Sequence, residues 1–327
     1  MQQFKCLRDV TDYFSDEKRC LSYLEFQLWE DKPVCPHCGS ERVYRLADGK
    51  NFKCGNKKTC DRKFNVLIGT MYENTKLPLS VWMSAIYICT AHKKGISSHQ
   101  FARDYGITQK SAWFLLHRVR EMLKGDQSQL KDVVQADELY VGGANENRPS
   151  HKKVNYAKGE KDKTAVLGVM QQNGVVKTAV LPNTQEETIK PLIKKMVQAG
   201  SILITDGLAT YVKVAGDYLH VVIQHQEGEY GRGAFSTNRL EGFWAFVRRS
   251  LYGIYHCVSA AHLQRYCDEN AYRYNLRKLT DPVRFAFTVR KSRGRLRYAD
   301  LIKNSNLQSW QKRKNLKRSL PDQKIQN

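Results

Sequence analysis

The feature that most constrains this chain is a cysteine quartet near the N-terminus, Cys35-x2-Cys38 followed by Cys54-x5-Cys60. The two knuckles lie about 16 residues apart among Gly, Lys and Asn instead of apolar neighbours. They supply four thiolates at a spacing suited to a tetrahedral structural zinc ion. The second knuckle is wider than the usual two-residue spacer and must loop through GNKKT; His37 is an alternative ligand that could replace a sulfur. Zinc bound here would fold the module and would do no chemistry. The other cysteines, Cys6, Cys20, Cys89, Cys257 and Cys267, are scattered, and an odd total of 9 favours metal ligation in a reducing compartment over a disulfide framework.

Charge narrows the partner. Lys and Arg number 54 against 32 Asp and Glu, a formal charge of +22, so the natural ligand is a polyanion, nucleic acid or an anionic membrane. No stretch approaches the roughly 18 apolar residues of a spanning helix, and MQQFKCLRDV lacks the apolar core of a signal peptide. The expectation is a soluble, cytoplasmic, nucleoid-associated protein with no membrane partner. At 327 residues it has room for two or three domains.

The pattern divides the chain into a helical lead-in (1–31), a cysteine module (32–75), a helical region (76–125), an alternating strand and helix region (131–277) and a basic tail (278–327) with 15 Lys/Arg against 3 Asp beyond residue 276. In the cysteine module, β-like runs fall at 41–46 and 62–68. Farther on, strands are expected at 133–141, 164–170 and 175–181, the last two joined through Asn173-Gly174, a hairpin signal. A helix over 184–199 with a Thr-x-x-Glu start, a strand at 201–205, a short helix at 208–214, a strand at 220–223, a glycine-rich loop through Gly233 and helices at 237–251 and 259–276 follow. This β-β-β-α-β-α-β-α order is an α/β class.

Within the helical region, residues 97–105 and 108–123 flank Gly106 as a helix-turn-helix. Phe101 and Ala102 would pack on Ile107, Ala112, Leu115 and Leu116. Thr108, Gln109, Lys110 and Ser111, at the start of the second helix, would face a major groove. A plain helical hairpin fits the same pattern.

Carboxylates stand in uncomfortable places. Asp137 lies within the apolar strand VVQADELYV and Asp206 ends the run SILITD. A charge there must be paired or bind a cation, and strand C-termini of α/β sheets are where ligands collect. In STNRLEGFWAFVRRS, Asn238 and Glu241 are three apart and share a helix face, with Arg248 two turns on and Arg249 beside it.

CPHC, GTMYENTKLPLSVW, ADELYVGG, ITDG and STNRLEGFWAFVRR-x4-GIYHCVS occur in that order over about residues 20–277. In these the chain resembles a DDE-type transposase of bacterial insertion sequences, of the group joining an N-terminal zinc ribbon to a ribonuclease-H-like, ISXO-like catalytic domain, a mixed sheet flanked by helices. The resemblance implies that Asp137 and Asp206 are the first two acidic residues. Glu241 follows after 34 intervening residues as the third, a role that Asn238 fills in some relatives; an anionic oxygen suits a hard cation better than an amide. It further implies two Mg2+ ions about 3.5–4 Å apart, with Mn2+ able to substitute, bridging these ligands around a scissile phosphate. Arg248 and Arg249 would hold the backbone, and Glu138, on the other strand face, would be supporting or structural. Lys152, Lys153, Lys158, Lys161 and Lys163, and the tail over 290–318, would track DNA. Partners implied are the element's terminal repeats, target DNA and at least one further copy of the chain. Two other readings stay open: a DNA-binding regulator derived from a transposase, and a structure-specific ribonuclease-H-like nuclease.

Overall fold

A computed structural model describes residues 4–143, 163–172, 174–206, 211, 215–223 and 238–303. The chain divides into two compact units, residues 1–124 with 276–297 and residues 125–275 with 298–327.

The first unit begins with α1 (Leu7–Tyr13) and α2 (Glu17–Trp29), where Asp16 caps α2 by accepting from the Lys18 N–H. A three-stranded antiparallel sheet follows, β1 (Val43–Arg45), β2 (Phe52–Cys54) and β3 (Lys63–Phe64). These strands are shorter than the expected runs because the chain turns back between Leu46 and Asn51 after β1 and turns again over Asn65–Ile68 after β3. Trp29, Phe52 and Phe64 form their small core, with Phe52 and Phe64 stacked at 5.7 Å. Three helices come next: α3 (Leu79–Ala91), apolar and buried almost all round, α4 (Ser98–Tyr105) and α5 (Gln109–Met122). They break near Gly95 and Gly106, as the sequence indicates.

The second unit is built on a five-stranded sheet ordered β6-β5-β4-β7-β8. Its strands are β4 (Val133–Val141), β5 (Thr164–Gln171), β6 (Val176–Val180), β7 (Ile202–Asp206) and β8 (Leu219–Ile223). The first three are antiparallel neighbours, and β7 and β8 add parallel to β4. Alternation along β4 and β5 splits the core in two. Val134, Ala136, Ala165, Leu167 and Val169 face helix α6 (Glu186–Met196) through Ile189 and Ile193. Leu139, Val141, Val166 and Met170 face α7 (Asn238–Ser250) and α8 (Ala260–Asn275) through Leu240, Phe243, Trp244, Val247 and Leu263. Helix α8 also closes the free edge of β6. Gln264 accepts from the Val180 N–H and donates to the Thr178 carbonyl, and Asn275 makes the same pair of bonds with Val176. These satisfied backbone groups cannot template an added strand.

Two expectations change. The Thr184 capping box does not form: α6 starts at Glu186, and Asn183 takes the role, its Oδ1 accepting from the Gln185 N–H at 3.0 Å and from the Thr188 hydroxyl at 2.7 Å. The segment expected to open a basic tail instead contains α9 (Asp281–Arg290), an integral part of the first unit. Phe285 is fully buried among Phe4, Phe14, Tyr23 and Tyr87, and Arg290 donates to Gln27 at 2.8 Å. Phe285, Ala286 and Val289 of DPVRFAFTVR are buried although basic residues surround the segment. The expected helix at 208–214, apart from Tyr211, the glycine-rich loop, Lys152, Lys153, Lys158 and Lys161, and the tail beyond 303 lie outside the described residues.

Candidate active site

The cysteine quartet converges. Cys35 and Cys38 flank the turn before β1, Cys54 ends β2 and Cys60 precedes β3, and all four sulfurs lie within 4.8 Å of one another. Cys35 Sγ is 3.7 Å from Cys60 Sγ and Cys38 Sγ is 3.6 Å from Cys54 Sγ. A tetrahedron of Zn–S bonds of about 2.3 Å has edges of about 3.8 Å, so the sulfurs already stand where zinc would hold them. As bare thiols they titrate unequally. Burial raises Cys35, but hydrogen bonds from the His37 and Cys38 backbone and from neighbouring thiols outweigh it and leave that thiol low. Cys38 gains a backbone hydrogen bond near Ser40 that lowers it, yet burial and the other sulfurs push it up to about 12. Four ionised thiolates in that space need a cation. His37 is outside the cluster.

The segment expected as a helix-turn-helix, or as a plain helical hairpin, consists of α4, a turn at Gly106 and α5. Gly106, at φ 62°, ends α4 in the left-handed region that glycine adopts without a Cβ penalty. Thr108 then caps α5, its hydroxyl oxygen accepting from the Ser111 N–H at 3.2 Å. Gln109 donates to Ser98 Oγ at 2.9 Å. Thr108, Gln109 and Lys110 are all exposed, but the first two already have local structural work.

In the second unit, β4 and β7 pair parallel, with Gln135 opposite Ile204; the same offset carried two residues on sets Asp206 level with Asp137. Both are half-buried. Across the antiparallel pair, Asp137 stands opposite Gly168. A Cβ on Gly168 would come within 2.3 Å of Trp244 Cζ2, so only glycine lets the indole of α7 lie over the sheet at this point. That packing places the first turn of α7, with Asn238 and Glu241 exposed, on the Asp137 side of the sheet.

The electrostatics show the convergence. Burial is the main force raising the Asp137 carboxyl to about 6. The Glu138 N–H, donating to Asp137 Oδ1 at 2.8 Å, opposes it, while the carboxylates of Asp206 and then Glu241 push it further up. The buried Trp244 indole N–H also favours ionised Asp137, although it stops short of hydrogen-bond geometry with any of the described residues. Among the described residues, the four sulfurs alone form a cluster within one ion's reach. Half-buried or exposed carboxylates brought together in this way offer the oxygen donors that hard divalent cations take.

Residues 129–275 match the ISXO2-like transposase domain, and residues 15–63 match the transposase zinc-ribbon domain. The chain thus carries an ISXO2-like transposase domain behind a transposase zinc ribbon. An uncharacterized protein in transposable element ISH50 of Halobacterium salinarum is 27% identical to it over 250 residues, 73% of this chain and 84% of the relative. An uncharacterized transposase-like protein of Haemophilus influenzae is 29% identical over 101 residues, 31% of this chain and 80% of the relative.

The transposase keeps Glu138 on the opposite sheet face from Asp137. There the fully buried Tyr211 donates to Glu138 Oε1 at 2.5 Å, with burial holding the phenol far above its usual range. This bond ties the segment after Asp206 to the strand carrying Asp137. Arg248 and Arg249 are exposed in the last turn of α7, and Lys163 is exposed just before β5. Among the described residues no helix of the transposase is long and apolar enough to cross a membrane. Reading the sequence alone misses Gly168 and Tyr211. A lone glycine inside an apolar strand is the signal that would have found the first; Tyr211 carries no local signal.

Proposed function

We propose that this transposase binds the ends of an insertion sequence and catalyses divalent-metal-dependent DNA strand cleavage and strand transfer. The observation that carries the reading is the convergence of Asp137, Asp206 and Glu241 from two strands and a helix, close enough that the last two add to the burial that raises the Asp137 carboxyl. Asp137, Asp206 and Glu241, or Asn238 one turn earlier, would hold two Mg2+ ions. Bound there, the ions supply charge that activates the attacking hydroxyl and stabilises the leaving oxygen of an in-line displacement.

The chain's own residues do the rest. The Glu138 N–H fixes the Asp137 carboxylate, and Tyr211, bonded to Glu138, braces that strand end. Arg248 and Arg249 hold the flanking phosphates. The start of α5, with Lys110 and Gln109, and the zinc-stapled ribbon recognise the ends, with at least two copies bringing both ends together.

The test is cleavage of labelled DNA carrying the element's own ends in Mg2+ or Mn2+, with wild type, Asp137→Asn, Asp206→Asn, Glu241→Gln and Asn238→Ala. The expected result is products ending in a 3′ hydroxyl and strand transfer, lost in both aspartate variants while DNA binding persists; the last two variants identify the third ligand. Tight, sequence-specific binding with no cleavage by wild type would refute the enzymatic reading.

A further inference from the structure

The solvent side of α7 carries more than a carboxylate. Asn238, Glu241, Ala245, Arg248 and Tyr252 follow one another three or four residues apart, the spacing that lines side chains along one helix face. Leu240, Phe243, Trp244, Val247 and Leu251 occupy the opposite, buried side. Along the stripe Asn238, Glu241 and Arg248 are exposed and Ala245 is half-buried. The Tyr252 ring is 51% exposed.

Tyr252 does not sit in ordinary helix. α7 runs on into a π-helical turn, Leu251–Tyr255, a form that recurs at functional sites because its extra residue re-aims side chains. The turn ends at His256 with φ 56° and ψ −59°, a conformation that non-glycine residues hold only under constraint. The constraint comes from α8. Tyr255 donates its hydroxyl to Glu269 at 2.8 Å and packs edge-on to Tyr266 at 4.7 Å. Glu269 is itself fully buried and paired with Arg273 at 2.5 Å. A buried ion pair thus anchors a strained turn whose outer surface presents an aromatic ring to solvent.

In order along the stripe stand a carboxylate, a guanidinium and a ring. From Glu241 to Tyr252 is 11 residues, about 16 Å at the helical rise of about 1.5 Å per residue, the span of a few nucleotides. Tracks for single-stranded DNA combine cations for the backbone with aromatic faces on which bases stack.

We propose that Tyr252 is a stacking platform for an unpaired DNA base flanking the reacting phosphate, with Arg248 binding the phosphate between that base and the carboxylates. The inference rests on the enzymatic reading above for the place of the reacting phosphate.

The test uses the full chain without added Mg2+ or Mn2+, so that no strand is cut, and duplexes of the element's terminal sequence with a single-stranded 3′ overhang. The fluorescent adenine analogue aminopurine is placed at successive overhang positions. Wild type, Tyr252→Phe and Tyr252→Trp are expected to quench it at one position. Tyr252→Ala is expected to lose that quenching and bind overhang DNA roughly 10-fold more weakly, with blunt-duplex affinity and melting temperature unchanged because the side chain is exposed. No quenching at any position by wild type, or equal quenching and affinity in Tyr252→Ala, overturns the proposal. Adding Mg2+ separates the two readings. Cleavage by wild type with no effect of Tyr252→Ala on overhang binding refutes the platform alone, whereas Tyr252-dependent quenching without cleavage refutes the enzymatic reading and leaves the platform standing.

Discussion

An alanine at position 168 would put a methyl carbon 2.3 Å from Trp244 Cζ2, 2.7 Å from Cη2 and 3.2 Å from Leu240 Cδ1. Gly168 lies in regular strand at a position without positive φ, so the backbone itself accepts alanine, and reduced freedom in the unfolded chain favours it by about 0.4–1 kcal/mol. Sterics decide the sign. Trp244 is 1% exposed and Leu240 fully buried, so neither can swing into solvent, and overpacking of this kind costs about 1–3 kcal/mol or more. The net expectation for Gly168→Ala is a loss of about 2 kcal/mol. Trp244→Phe deletes the part of the indole bearing Cζ2 and Cη2 and leaves a void costing about 1–3 kcal/mol. In the double variant the methyl meets that void, so the two losses should fall short of adding by about 1–2 kcal/mol. Chemical unfolding of the four proteins, followed by circular dichroism, measures the coupling. Additive losses, or a neutral Gly168→Ala, would refute the idea that glycine is present to admit the indole. Trp244 shares its helix with Glu241 and faces Asp137, so Gly168→Ala should also raise the Mg2+ concentration needed for half-maximal cleavage, by roughly 10-fold as for other groups that orient metal ligands.

Burial holds Asp137 at about 6 against an ordinary 3.8. The folded protein therefore favours the protonated acid, and stability is lost as pH rises from about 4 through about 6, reaching about 3 kcal/mol. Metal-free Asp137→Asn should accordingly melt higher than wild type at neutral pH, with little difference near pH 4, while losing cleavage; a lower melting temperature at neutral pH would contradict the origin assigned to the shift. Elemental analysis should find a single zinc per chain, absent in Cys38→Ser, with end binding lost and the unfolding transition of the second unit kept. Thr108→Ala should cost about 1 kcal/mol through loss of the α5 cap. Lys110→Ala should instead leave melting unchanged and lower the salt dependence of DNA binding by about one ion, and a reversal of these two effects would show that Thr108 is the DNA contact.

Local chemistry explains what was readable from the sequence alone. The paired cysteines, the glycine between two capped helices, the alternating strands and the acidic residues set in apolar runs each leave a signature within a few neighbouring residues. They were enough to place the ribbon, the helical turn, the strands and the residues Asp137, Asp206 and Glu241 on their elements, whereas the mixed sheet came only from the family resemblance. Three features are set only by contacts between distant segments: the parallel register that sets Asp206 level with Asp137, the approach of Trp244 over Gly168 and the Tyr211 bond to Glu138. The same holds for residues 281–290, which read as the start of a solvated basic tail because of the Lys and Arg around and beyond them, until Phe285 finds the aromatic cluster formed by Phe4, Phe14, Tyr23 and Tyr87. Periodicity and capping determine which residues share a face; burial of apolar surface between remote faces decides which faces meet, and no single segment carries that information.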